Sequence, residues 1–123
     1  MTRPLPRVID PIVVEHRVRG ADSAEIELVV PHDLHFVKGH FPGAPVVPGV
    51  VQIKWAILLA RRYLVIGDGF AAMENVKFQQ VMTPQSRVTL TLEYAAAARK
   101  LRFSFTSAEV RYSSGRVVLG TAP

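Results

Sequence analysis

The chain of 123 residues has no cysteine. A disulfide scaffold, a thiol nucleophile and a cysteine-ligated zinc site are therefore excluded. A reducing compartment agrees with this, and a cytoplasmic location is the expectation. Long apolar runs are missing as well: the longest, Trp55 to Ala60, is far shorter than a bilayer span requires. The opening Met1-Thr2-Arg3-Pro4-Leu5-Pro6-Arg7 has no apolar centre and is not expected to act as a secretory signal. Repeats and low-complexity tracts are absent. What remains is the composition of a folded domain, 49% hydrophobic and 20% charged, which excludes a mainly disordered chain. The length suits one core rather than two. The expectation is one domain over residues 1–123, with residues 1–11 as an extended, proline-rich lead-in.

Lysine and arginine outnumber the acidic residues by 15 to 10. Such an excess fits three kinds of partner: nucleic acid, an anionic membrane or an acidic carrier protein. The only adjacent basic pairs are Arg61-Arg62 and Arg99-Lys100, too dispersed for a nucleic-acid patch. A solvated basic surface is the plain reading, and neither nucleic acid nor membrane is expected as a partner. Arg61, Arg62, Arg99, Lys100 and Arg102 are the residues that would meet an acidic carrier.

Periodicity sets the order of elements. Residues 12–18 form a candidate strand, Gly20 to Ser23 a turn, and 24–30 a second strand, with Ile26, Leu28 and Val30 opposite Glu25 and Glu27. From Val50 to Leu64 the composition predicts a helix. Its first part has only Gln52 and Lys54 as polar residues, so it is expected to be buried all round. Gly67-Asp68-Gly69 is the expected stop. Residues 88–94 alternate as a half-buried strand. Leu101, Phe103 and Phe105 alternate likewise, and the apolar phase then slips to Ala108, Val110 and Tyr112, which predicts a bulge. Ser113-Ser114-Gly115 is the expected hairpin turn, with 117–119 pairing back. Two strands, a helix and about four strands in antiparallel hairpins define an α+β domain, a curled antiparallel sheet around one helix.

The chemistry lies in the segment 31–49, which holds four prolines and three of the four histidines. Long ordered loops in compact domains are usually functional. His40 stands between Gly39 and Phe41, ahead of Pro42-Gly43, and Pro48-Gly49 opens the helix. A helix N-terminus offers unpaired N–H groups and a positive dipole end, and glycine lets a ligand come close to that backbone. A titratable imidazole is thus placed beside a potential oxyanion site. Read alone, a histidine near an apolar helix is more often structural than catalytic. His32, Asp33 and His35 lack a fourth partner at suggestive spacing, so no metal is expected.

Gly39-His40-Phe41-Pro42-Gly43-Ala44-Pro45-Val46-Val47-Pro48-Gly49-Val50 resembles the G-H-F-P-x-x-P-V-x-P-G-V motif of the hot-dog-fold 3-hydroxyacyl-[acyl-carrier-protein] dehydratases. Phe78 followed by Pro84 matches a second family turn, F-x-x-P-V-x-P-G, with Val81 in place of its first proline and Gln85 in place of its glycine. The short chain is also similar to the dehydratase-like proteins of aryl-polyene clusters. The resemblance implies a hot-dog fold and a small-molecule acyl thioester carried on the phosphopantetheine arm of acyl carrier protein. His40 would remove the α-proton, and the backbone at Gly49 and Val50 would hold the developing enolate. Phe41, Gly43 and Gln52 would line the substrate site. The resemblance implies no further cofactor, and it implies a homodimer in which the helix of the other subunit supplies an acid.

That acid position, six residues beyond Pro48, is occupied here by Lys54. Four readings follow: a lysine snorkelling at an interface, a replacement acid tuned by desolvation, a heterodimer whose partner supplies the carboxylate, or a dead site, as in a non-catalytic carrier-binding or heterodimer subunit. A hot-dog thioesterase is a further alternative, because one fold hosts several chemistries. For Gln52, hydrogen bonding to pantetheine competes with a backbone-capping role.

Overall fold

The computed structural model describes residues 10–31, 46–108 and 110–121. Six strands and one helix follow in the order β1 (Ile12–Arg19), β2 (Ser23–Val29), α1 (Gly49–Tyr63), β3 (Ala72–Phe78), β4 (Arg87–Ala95), β5 (Lys100–Ser107) and β6 (Val110–Val118). They form a single antiparallel sheet with strand order β1-β2-β4-β5-β6-β3. The sheet curls around α1, as the alternation predicts. Ala24, Ile26 and Leu28 of β2, Val88, Leu90, Leu92 and Tyr94 of β4, and Leu101, Phe103 and Phe105 of β5 all face inward and are buried. They close over Trp55, Ala56, Leu59 and Ala60 of the helix. Burying such side chains is worth about 1.5–3 kcal/mol each, so this face dominates the stability of the domain.

Four expectations need correction. The helix is not buried all round: Val50 is 62% exposed and Leu58 36%, and Lys54, Arg61 and Arg62 are exposed too. Positions 50, 54 and 58 recur at helical spacing, so one stripe faces away from the sheet. The helix also ends at Tyr63, before Gly67; its last turn carries Arg61 and Arg62, which suit the negative end of the dipole. β3 and β4 do not form a hairpin, since β3 crosses to the far edge and pairs with β6. Finally, Ser113-Ser114-Gly115 is not a turn but lies within β6.

The phase slip after Phe105 marks a chain reversal. β5 ends at Ser107, Ala108 takes φ 48°, and Ser107 pairs with Val110 on the returning strand. The expected bulge is also present: the register shifts between Phe105, opposite Ser113, and Thr106, opposite Arg111. Gly115 is required because the strands pack closely. A Cβ there would lie 2.9 Å from Val76 Cγ2 and 3.2 Å from Phe103 Cε1, closer than carbon atoms tolerate.

Candidate functional site

Site geometry begins at the N-terminus of α1. Pro48 is the N-cap residue, with φ −60° and ψ 150°, and supplies no side-chain cap. Its carbonyl accepts from Val51 N at 3.0 Å and from Gln52 N at 3.1 Å. The N–H groups of Gly49 and Val50 lie before the first intrahelical acceptor, so geometry leaves them pointing out of the helix end. The ring of Phe78, half-exposed at the end of β3, lies against Gly49. A Cβ on Gly49 would come within 2.5–2.9 Å of three atoms of that ring. A side chain at this position would have to displace the Phe78 ring.

The chain leading into the helix is held on both sides. Val47 N donates to Met82 O at 2.7 Å, and Val47 O accepts from Gln52 Nε2 at 3.1 Å. Ser113 Oγ in turn donates to Gln52 Oε1 at 2.6 Å. Gln52 is 3% exposed and Ser113 is fully enclosed. Phe78 and Ser113 are direct partners across β3 and β6. One register pair thus grips the first turn of the helix twice, by a ring on Gly49 and a hydroxyl on Gln52.

The other end of the histidine-bearing segment is fastened to the same connection. Val30 N donates to Ser86 O at 2.9 Å and Gln85 N to Val30 O at 2.8 Å. Val30 and Val47, the residues that flank 31–46, are therefore both bonded to the Met82–Ser86 stretch beside the helix N-terminus. Gln85 adopts φ 68° here, the left-handed conformation glycine takes freely. This is the physical reason for a glycine at that place in the motif it resembles.

Of the residues expected at the site, Gly49, Val50 and Gln52 come together at the helix start. Lys54 sits apart from them, on the exposed stripe between Val50 and Leu58. The isolated chain does not desolvate its ammonium, so the replacement-acid reading would need a second subunit over that stripe. His40, Phe41 and Gly43, and with them His32, Asp33 and His35, lie outside the described residues. Gln52 turns inward to protein groups, which agrees with backbone capping rather than contact with pantetheine. Of the apolar residues that might line an acyl channel, Trp55 is core, Ile57 is half-buried and Leu58 is exposed. Ser113 was missed because it was assigned to a turn; the inward alternation Ser113, Gly115, Val117 and Leu119 is the signal that would have found it.

The basic residues do not form one patch. Arg61 pairs with Asp68 at 2.9 Å, and Arg99 Nη1 donates to Gly120 O at 3.3 Å near the helix C-terminus. Lys100 and Arg102 belong instead to the outer sheet face. There Glu74 accepts an ion pair from Lys100 at 3.0 Å and one from Arg116 at 3.4 Å. The Lys100 ammonium chiefly holds the Glu74 carboxyl below the ordinary carboxylate range; partial desolvation opposes this and Arg116 adds to it. An open polar groove of about 580 Å³ on the same face is lined by Lys77, Thr91, Arg102 and Arg116 among others. It lies across the sheet from the helix and is separate from the site described above.

A helix wrapped by a curled antiparallel sheet of this strand order defines the hot-dog fold class. A family model described as ApeI-like, ApeI dehydratase, matches residues 16–116, and the chain belongs to this family of dehydratases. The fold agrees with that of the dehydratase heterocomplex ApeI:P from Xenorhabdus doucetiae: TM-score 0.82 at 30% identity, covering 90% of this chain and 98% of that one. Among curated relatives, the 3-hydroxyacyl-[acyl-carrier-protein] dehydratase FabZ of Erythrobacter litoralis is 35% identical over 96 residues, 68% of this chain. FabZ of Legionella pneumophila is 30% identical over 106 residues, 76% of this chain. Each match takes in 64% of the relative's own length.

Proposed function

We propose that the chain converts a 3-hydroxyacyl thioester, carried on acyl carrier protein, to the trans-2-enoyl thioester and water. The observation that carries this reading is the start of α1. Gly49 and Val50 present the helix's N-terminal backbone within a motif that contains His40, and both ends of the His40 segment are tied to one connection. In this account the imidazole of His40 takes the α-proton. Electron density moves toward the thioester oxygen, where the N–H groups of Gly49 and Val50 and the helix dipole stabilise it. The β C–O bond then breaks, and a proton donor delivers a proton to the departing hydroxyl, so that water leaves. The test is turnover of carrier-bound 3-hydroxyacyl chains by the wild type and by His40→Ala. The wild type yields the enoyl thioester and the variant does not; free acid as the product would instead indicate a thioesterase.

Lys54 favours a specific assembly. It stands on an exposed stripe with Val50 and Leu58, a face suited to a second subunit, and the ApeI:P relative is a heterocomplex. In the proposed unit the partner's helix carries the carboxylate that serves His40, and Lys54 faces the partner's own site. One competent site per heterodimer follows. In such a heterodimer Lys54→Ala keeps its turnover and His40→Ala loses it. In a homodimer that uses Lys54 as the acid, both substitutions abolish turnover.

A further inference from the structure

We infer that Gln52 is a positioning residue for the oxyanion-holding backbone, and that Ser113 on β6 sets its orientation; the inference rests on the dehydratase reading above. A helix N-terminus is ordinarily fixed by a side-chain oxygen on its N-cap residue. Pro48 has no such group, and the structure replaces it by a longer route. The Gln52 amide reaches back out of the first turn and holds the carbonyl of Val47, the residue before the cap, at 3.1 Å. Val47 N is already committed to Met82 O at 2.7 Å, so both polar backbone groups of Val47 are bound. The oxygen of the same amide accepts from Ser113 at 2.6 Å. A continuous chain of hydrogen bonds therefore runs from β6 through the helix to the β3–β4 connection. Gly49 and Val50 lie within it, between Val47 and Gln52.

Burying an amide and a hydroxyl in an otherwise apolar core is unfavourable compared with filling the space with hydrocarbon, unless each polar atom is bonded in a fixed geometry. Here each bond joins a different element. The arrangement thus fixes the direction in which the Gly49 and Val50 N–H groups point, and Gln52 acts through them without touching the substrate. Small errors in such directions are expensive for catalysis: a displacement of about 1 Å can lower a rate by about a hundredfold.

The test compares Ser113→Ala, Gln52→Glu and Gln52→Leu, each with its native partner subunit. Ser113→Ala removes only the outer bond. Gln52→Glu, when ionised, can still accept from Ser113 but cannot donate to Val47. Gln52→Leu removes both. The expected order of kcat is wild type, Ser113→Ala, Gln52→Glu, Gln52→Leu. The first substitution should lower kcat about threefold to tenfold and the last about ten- to a hundredfold, with KM within about threefold of wild type. Backbone amide resonances of Val47, Gly49 and Val50 supply a readout independent of turnover. Ser113 is 61 residues from Gln52 in sequence, so its substitution cannot move these resonances through chain neighbours. The inference is overturned by variants whose kcat falls only in proportion to their folded fraction, or by Ser113→Ala leaving the Gly49 and Val50 resonances in place. Should the wild type with its partner produce no enoyl thioester, the dehydratase reading fails, and the amide resonances alone decide whether the clamp exists.

Discussion

The contact between Gly49 and Phe78 makes a prediction about the sign of a stability change. In Gly49→Ala the new Cβ would lie 2.5–2.9 Å from three ring atoms of Phe78, against about 3.5–4.0 Å for comfortable carbon contact. The ring must withdraw by about 1 Å. Phe78 is 51% exposed, so it can swing toward solvent, and the cost falls low in the range for overpacking, about 1–2 kcal/mol. Against this, alanine is favoured over glycine in a helix by about 0.5–1 kcal/mol. The net effect is a loss of about 0–1.5 kcal/mol. In a Phe78→Ala background the clash is gone and only the propensity gain is left, so the same substitution should stabilise by about 0.5–1 kcal/mol. Denaturant unfolding of the four proteins, with m-values checked for constancy, measures the cycle. An effect of equal sign and size in both backgrounds would refute the packing argument. Turnover provides a separate test: Gly49→Ala should lose most of its activity in both backgrounds, because in the proposed reaction the methyl group stands beside the N–H groups assigned to the enolate oxygen.

Gln85→Gly should raise stability by about 0.5–1 kcal/mol in the same assay, since φ 68° strains glutamine and not glycine; a decrease would contradict the strain argument. Trp55→Ala, at the centre of the core with 1% exposure, should lose about 3–5 kcal/mol. Glu74 bears on pH dependence. Its folded-state pKa lies below that of the unfolded chain, chiefly through Lys100. Its contribution is therefore present above the ordinary carboxylate range and is lost as the pH falls through the depressed folded value. The stability difference between wild type and Glu74→Gln should thus shrink on acidification, and parallel profiles would show that the Lys100 pair contributes nothing. Leu58→Glu, on the exposed helix stripe, should lower the assembled mass seen by light scattering; an unchanged mass would remove that stripe from the subunit interface.

Much of the fold was legible because the core-facing residues of β2 and β4 keep strict period two, and the helix begins where proline and glycine punctuate the chain. The errors share one cause, local signals overridden by tertiary packing. Ser113-Ser114-Gly115 has turn composition, yet Ser113 is turned inward to bond Gln52 and Gly115 is small because Val76 and Phe103 crowd it. The phase slip after Phe105 was read as a bulge, and the pairing does shift register between Phe105 and Thr106; the chain reversal at Ala108 just beyond it was not anticipated. The helix stripe at Val50, Lys54 and Leu58 looked like core because apolar composition does not distinguish a sheet-facing surface from one that another subunit would cover. At the site, the motif pointed to Gly49 and Val50, and Gln52 stood out as one of the two polar residues in the first part of the helix. The inward bonding of Gln52 depends on a partner far away in sequence, which no local pattern reveals.

The central claim is tested most directly by mass spectrometry of the carrier protein after incubation with this chain and the proposed partner subunit. A carrier loaded with a 3-hydroxyacyl group should lose the mass of one water and gain the absorbance of a conjugated enoyl thioester, and with His40→Ala it should remain unchanged. Equal water loss with both proteins, or none with either when the partner is present, would contradict the account.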